Sequence, residues 1–271
     1  MSKDRLCKLL GICRSGYYQW IKKLETMNDE SELRELIYDE FYYHKHNYGS
    51  RRILNLLRSK GYNINRKRVQ RLMREMNLFA KGKPKFKKTT NSHHKKSISP
   101  NLINQNFTVD SPSIIWVSDI TFIRTREGWL YLNVIIDCFG RKVMKWSLRS
   151  NMTKSIVTDP MHELLKQEKP KDLIFHSDRG TQYASNELRN LLRKYNVKQS
   201  MSGKGNCYDN AVAESFFKTL KRELGKRIFK TRNEAELEIF EYLEMYYNNK
   251  RLHSTNNYRT PNQVHNDFYA A

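Results

Sequence analysis

Three short runs do most to restrict the fold: IIWVSDITFI at 114–123, WLYLNVIID at 129–137 and KVMKWSL at 142–148. Each is rich in β-branched and aromatic residues. The breaks between them, Arg126-Glu127-Gly128 and Phe139-Gly140-Arg141, are of turn length, so the runs read as an antiparallel meander. Beyond them the pattern alternates. A helix is expected at about 153–167, a strand at 172–177 and a helix at about 185–195. A strand over VKQSMS, a long helix at about 208–224 and a last helix at about 233–248 follow. A meander followed by alternating helices and strands predicts an α/β fold, a mixed sheet with flanking helices.

The first third reads as all-α. Residues 2–25 suggest a short helical pair, Leu6, Leu9 and Leu10 marking the first helix and Tyr18, Trp20 and Ile21 the second, with Gly11 between them. A separate amphipathic helix is expected at 31–43, through Leu33, Leu36, Ile37 and Phe41. Residues 48–78 then give helix, turn and helix. Ile53, Leu54, Leu56 and Leu57 mark one, Lys60-Gly61-Tyr62 closes it, and Asn65 caps the next, in which Val69, Leu72, Met73 and Met76 repeat. The second helix of the pair carries Arg66, Lys67, Arg68, Arg71 and Arg74 on its polar side. One apolar face to dock the helix and one basic face to meet phosphates is what a DNA-binding helix-turn-helix needs.

Charge is distributed to match. The chain has 271 residues and a net charge of +22. Residues 51–100 hold 16 basic side chains and 1 acidic, whereas residues 1–50 hold 8 of each. A block so concentrated repels itself unless a polyanion lies nearby, which points to nucleic acid. No run of about 18 apolar residues occurs, which argues against a membrane span. The first residues lack the apolar stretch of a secretory signal, and the four cysteines form no CxxC pair, as suits a reducing cytoplasm. The expected organisation is a helical DNA-binding region at 1–80, a basic linker at 81–108, an α/β core at 109–225 and a helical C-terminal extension at 226–271. His93-His94, in the linker, lacks further ligands nearby and reads as solvated.

Three carboxylates stand out. Asp119 shares a strand face with Ile115, Val117 and Ile123, where a charge is costly unless compensated. Asp178 lies just past an apolar strand, and strand ends are where ligands gather. Glu214 follows a loop containing Gly203 and Gly205 and shares a helix face with Lys218 and Lys221. Each alone has a plainer reading: an Asp satisfied by backbone donors, an Asp in a turn before Gly180, and a routine intrahelical ion pair. Together they suggest more. Carboxylates within about 5 Å repel by roughly 3 kcal/mol per pair at an effective dielectric near 20, so convergence implies divalent metal. Oxygen ligands favour Mg²⁺ or Mn²⁺, and two such ions suit in-line phosphoryl transfer.

Other residues carry weaker expectations. Asp137 reads as a turn former and Asp209 as a helix N-cap. His176 suits either a phosphate contact or a structural hydrogen bond, and Asn206 and Asn210 flank the start of the Glu214 helix, where they could touch DNA. Trp116, Trp129 and Trp146 are most simply core. Arg251, His253 and Ser254 are DNA-facing or helix-capping groups.

These residues also carry a resemblance. WVSDITFI, HSDRGTQYAS and SGKGNCYDNAVAESFFKTLK, with 35 residues between Asp178 and Glu214, resemble the signature blocks of DDE transposases of insertion-sequence-three type. More distantly they resemble retroviral integrase cores. YNNKRLHS and the Thr260-Pro261 pair resemble the family's C-terminal block, and residues 48–78 its helix-turn-helix. The resemblance implies an RNase H-like fold, Asp119, Asp178 and Glu214 as a catalytic metal-binding triad, and DNA cleavage followed by joining of a 3′-hydroxyl to target DNA. Lys204, Lys218 and Lys221 would then hold the transposon end. It also implies a homo-oligomer on DNA, an upstream-frame partner protein and a bacterial, nucleoid-associated location. The zinc-binding His/Cys module of retroviral integrases has no match, so end recognition falls to the helix-turn-helix. The tail reads HSTNNY where the family has Leu-Gly before the Tyr. The rival readings are an RNase H-like nuclease without strand transfer and an inactive DNA-binding regulator.

Overall fold

The computed structural model describes residues 3–82, 98–203, 207–225 and 227–270, in two compact units, Met1–Gly82 and Lys83–Ala271. Lys204, Asn206, His93 and His94 lie outside the described residues.

The first unit is all-α, with α1 (Lys3–Leu9), α2 (Arg14–Tyr43), α3 (Ser50–Ser59) and α4 (Arg66–Glu75). The expected helices at 15–25 and 31–43 are one continuous α2. No Gly or Pro interrupts residues 17–43, and a polar stretch alone costs a helix too little to end it. Leu33, Ile37 and Phe41 of α2 are buried, as are Ile53, Leu54 and Leu57 of α3 and Val69, Leu72 and Met73 of α4. Gly61, at φ +92°, makes the turn after α3, and Asn65 caps α4 by accepting from the Arg68 N–H at 2.9 Å.

The second unit is built on a five-stranded sheet in the order β3-β2-β1-β4-β5. Its strands are β1 (Ile115–Thr125), β2 (Gly128–Asp137), β3 (Val143–Arg149), β4 (Ile174–Ser177) and β5 (Lys198–Met201). The meander pairs antiparallel, while β4 and β5 add to β1 in parallel. Strand alternation feeds two cores. Ile115, Val117 and Ile123 join one that includes Phe216, Phe217 and Leu220 of α7 (Ala211–Glu223) and Ile239 of α8 (Arg232–Phe240). Trp116 joins the other, with Ile156, Met161 and Leu164 of α5 (Ser155–Glu168) and Leu188 and Leu192 of α6 (Asn186–Lys194). Among the described residues no helix is long and apolar enough to cross a membrane.

Five details depart from expectation. Residues 98–108 are less a linker than part of this unit: Ile103 is buried in the first core, and the Leu102 N–H donates to Ser200 Oγ at 2.9 Å. Trp129 is exposed, lying beneath the Arg124 guanidinium at 5.6 Å, and Trp146 is only partly buried. The Glu214 helix starts later, a 3₁₀ turn at Cys207–Asn210 leading into α7. The helix expected at 233–248 widens to a π-helix at Glu241–Tyr247 after α8. Finally, a further helix, α9 (Pro261–Ala270), closes the chain. Thr260 Oγ1 accepts from the Gln263 N–H at 3.2 Å, and Pro261 sits where a missing N–H is harmless.

Candidate active site

The ladder between β1 and β4 ends at the Ser118–Ser177 pair, so Asp119 and Asp178 are the next residues on adjacent parallel strands. Asp119 is half-buried, and its Oδ1 accepts from the Ile120 N–H at 2.8 Å. Burial pushes its carboxyl well above the usual carboxylate range. The negative charges of Asp178 and Glu214 push the same way, against the Ile120 N–H and the Lys221 ammonium. Asp178 Oδ1 accepts from the Gly180 N–H at 2.8 Å, and a Cβ on Gly180 would come within 2.9 Å of that same oxygen. Glycine is therefore required there for Asp178 to keep its orientation.

Glu214 lies on α7, which packs on β1. Burial raises its carboxyl too, and Lys218, with Nζ 3.9 Å from Glu214 Oε2, lowers it. Burial of the Lys221 ammonium lowers its pKa, and Asp119 partly offsets this. The three carboxylates thus share one electrostatic neighbourhood, edged by two lysines. Among the described residues no three His, Cys, Asp or Glu side chains stand close enough to hold an ion as they are. The donor set nonetheless suits a hard divalent cation. It is all oxygen, and only a cation would make ionisation of neighbouring, desolvated carboxylates cheap at neutral pH.

Beneath Asp119 lies a polar network that sequence reasoning missed. Tyr183 Oη and Ser118 Oγ both donate to Asn133 Oδ1, at 3.0 and 2.9 Å, and lie 2.9 Å from each other. Burial holds the Tyr183 phenol well above its usual range, and Asp119 and Asp178 add to this. The neutral phenol therefore stays a donor. Nothing in the sequence pairs Ser118 and Asn133 with Tyr183.

Several expected site residues lie elsewhere. His176 is fully buried, its Nδ1 2.8 Å from Ser200 Oγ and its Nε2 3.3 Å from Ser202 Oγ. Burial pushes its pKa down to about 4. It joins β4 to β5 rather than reaching a phosphate. Asp209 does not cap α7: it accepts from the Gly203 N–H at 2.6 Å and from Gln105 Nε2 at 3.2 Å. Asn210 is buried and binds the Ser118 carbonyl. Asp137 does form its turn, accepting from the Phe139 N–H at 2.9 Å. Arg251 does not face DNA; it is 3 % exposed and paired with the buried Glu223, Nε to Oε2 at 2.9 Å. In α4, Arg66, Lys67 and Arg74 are exposed, whereas Arg71 is paired with Glu30 and with Glu75, and Arg68 Nε lies 3.5 Å from Glu30. A cleft of about 270 Å³ flanks α7, lined in part by Phe107, Ser215, Thr219 and Arg251 and by none of the three carboxylates.

Known proteins bear on this geometry. Residues 110–207 and 214–267 match models of the integrase core domain, and residues 28–86 a model of an HTH-like domain. The chain is 46 % identical to the transposase for insertion sequence element IS904 of Lactococcus lactis over 231 residues, 84 % of this chain and 91 % of that one. It is 36 % identical to transposase InsF for IS3A of Escherichia coli over 267 residues, 96 % of this chain and 93 % of that one. The chain belongs to the insertion-sequence-three family of DDE transposases. A 31 kDa protein of insertion element IS600 from Shigella sonnei is a further relative, 39 % identical over 92 % of this chain and 93 % of its own. In this transposase the first integrase-core match holds Asp119 and Asp178, and the second begins at Glu214. The second runs on through α8 and into α9. Tyr242, Leu243 and Tyr247 lie in the same hydrophobic core as Val117, so the C-terminal extension is part of the RNase H-like unit.

Proposed function

We propose that this transposase cleaves DNA at the ends of its insertion sequence and joins the freed 3′-hydroxyl to target DNA, with Asp119, Asp178 and Glu214 as catalytic residues. One observation carries the reading: two aspartates directly follow the last pair of the parallel β1–β4 ladder, and Asp119 feels the charge of Glu214 on the helix packed against β1. The three would hold Mg²⁺ or Mn²⁺, as a pair of ions. When bound, that pair supplies an activated oxygen nucleophile and stabilises the leaving oxygen. The protein's own groups do the rest. Tyr183 and Asn133 hold the Ser118 hydroxyl, next to Asp119 on β1. Gly180 leaves room for Asp178. Lys218 and Lys221, on the Glu214 face of α7, meet the phosphodiester, with Lys204 ahead of them in sequence. Arg66, Lys67 and Arg74 on α4 supply the exposed charge for terminal-repeat DNA, joined by Arg68 and Arg71 once those leave Glu30.

Handling two ends calls for a homo-oligomer on DNA, with an upstream-frame partner protein as a further component. A DNA substrate of this kind places the protein with the bacterial nucleoid in the cytoplasm. The deciding experiment supplies a pre-cut end with a free 3′-hydroxyl, a target duplex and Mg²⁺ or Mn²⁺. Joined product is expected. Hydrolysis with no joined product in either metal would favour a nuclease. DNA processing unchanged by Asp178→Asn would mean that this site does not carry the chemistry.

A further inference from the structure

Asn210 holds the N-cap position of α7, yet its side chain makes no capping hydrogen bond. Asn65, Ser185 and Thr231 occupy the same position in α4, α6 and α8, and each accepts a backbone N–H. Such a cap is worth about 1 kcal/mol, so leaving it unmade needs a reason. The reason is a different bond. Asn210 Nδ2 donates to the Ser118 carbonyl oxygen at 3.3 Å. Asn210 is 5 % exposed, and among the described residues its Oδ1 has no hydrogen-bond partner.

Ser118 is where β4 leaves β1, and the carbonyl that Asn210 binds belongs to the peptide unit leading into Asp119. The Ser118 hydroxyl is held as well, by Asn133 and Tyr183. At the other end of the link, Asn210 precedes Glu214 by four residues, about one helical turn and roughly 6 Å along the axis. One side-chain bond therefore ties the backbone beside one carboxylate to the helix turn below another.

We infer that Asn210 is a positioning residue: by binding the Ser118 carbonyl it sets the separation of Asp119 and Glu214, and through it the affinity of the site for a divalent cation. The inference rests on the reading of those carboxylates as a metal site. Groups that orient metal ligands from behind typically change affinity 10- to 100-fold when removed.

Asn210→Ser and Asn210→Thr test it in the full chain, because both residues cap helices well but place their hydroxyl one bond short of the amide nitrogen. Mn²⁺ binding without DNA is measured by calorimetry beside the metal-free Tm. Both variants should keep the parent's Tm and bind Mn²⁺ about tenfold more weakly. End cleavage should fall with end binding unchanged, and extra Mn²⁺ should restore part of it. In a Glu214→Gln background, Asn210→Ser should weaken Mn²⁺ binding no further, since its effect passes through Glu214. Parent-like Mn²⁺ binding, a Tm loss that accounts for the weakened binding, or full additivity with Glu214→Gln would each overturn the inference. Failure of the underlying reading looks different: Asp119→Asn and Glu214→Gln would themselves leave Mn²⁺ binding intact.

Discussion

The two units differ in where they place charged residues. In the N-terminal unit, acids and bases pair at the surface: Arg71 with Glu30 and Glu75, Arg34 with Glu75, and Lys60 with Glu40 at 2.5 Å. Such pairs are worth about 0–1 kcal/mol and are screened by salt, so a phosphate can replace the acid at little cost. The catalytic unit has exposed pairs too, Arg149 with Asp159 and Lys154 with Glu187 among them, but it also takes charge inside. Glu223 and Arg251 pair in the interior with Tyr242 Oη donating to Glu223 Oε2 at 3.0 Å, and Asp119 and Asp178 sit side by side with too little cation near them. The contrast teaches that the first unit is built to exchange ionic partners and the second to hold geometry against electrostatic strain.

The contrast is broken most directly at the triad. Asp119→Asn, Asp178→Asn or Glu214→Gln should each lower end cleavage and joining by about 10⁴-fold, roughly 5.5 kcal/mol of barrier, while leaving end binding near the parent level. Band-shift and cleavage assays on one preparation separate the two effects. A variant that loses both together would place DNA binding on these carboxylates. The next largest effect is expected from the buried pair. Glu223→Gln or Arg251→Met should cost about 3–5 kcal/mol in denaturant unfolding, because each leaves an uncompensated charge inside. A loss under about 1 kcal/mol would show that the pair behaves like the exposed ones of the N-terminal unit.

Much of this was legible in the sequence, for reasons that differ by region. Strong periodicity gave the helix-turn-helix and every strand, because Val69, Leu72 and Met73 on α4, and Val117 and Ile123 on β1, face cores that their spacing alone dictates. Asp119 and Asp178 stood out as charges at apolar strands. Other features depended on tertiary contacts that no local pattern encodes. Arg251 looks like any exposed arginine until Glu223, 28 residues earlier, meets it in the interior. Asp209 reads as a cap because that is the local use of such a residue, and Asn210 as a DNA contact beside the helix start, whereas partners at Gly203 and Ser118 claim them instead. Thr260-Pro261 is a helix-start signal for α9, but the short run after it has too weak an apolar period to mark a helix by itself.

A smaller effect sharpens the contrast through pH. His265 of α9 lies with Nε2 3.8 Å from Asp137 Oδ2 at the β2–β3 turn, both buried. Burial pushes Asp137 up to about 6 and His265 down to about 4. The folded state holds the Asp137 proton more tightly than the unfolded state, so that group's contribution is lost as pH rises from about 4 through 6. For His265 the folded state holds the proton less tightly, so stability is lost as pH falls from about 6.5 towards 4. The two oppose each other over one window. Asp137→Asn should therefore tilt the unfolding free energy towards acid sensitivity between pH 7 and 4.5 by about 2 kcal/mol relative to the parent, and His265→Gln should tilt it the other way. No tilt relative to the parent in either variant would mean that neither group titrates within this window.

The smallest stability effect, and the sharpest test of exchangeable pairing, lies on α4. Arg66 and Lys67 are exposed, whereas Arg71 must leave Glu30 and Glu75 before it meets a phosphate. Replacing Arg66 and Lys67 by Ala should reduce the slope of log affinity against log salt by about 0.9 for each lost contact. Arg71→Ala should reduce it by the same amount if the exposed pair is as weak as its surface position implies, at a cost below about 1 kcal/mol in stability. Glu30→Gln then reads the pairing from its other side. With the competing acid gone, end binding should tighten slightly while the salt slope stays fixed, because the number of phosphates engaged is unchanged. If Arg71→Ala leaves the slope as it was and costs several kcal/mol in stability, the arginine is a structural brace, and DNA contact on α4 falls to Arg66, Lys67 and Arg74.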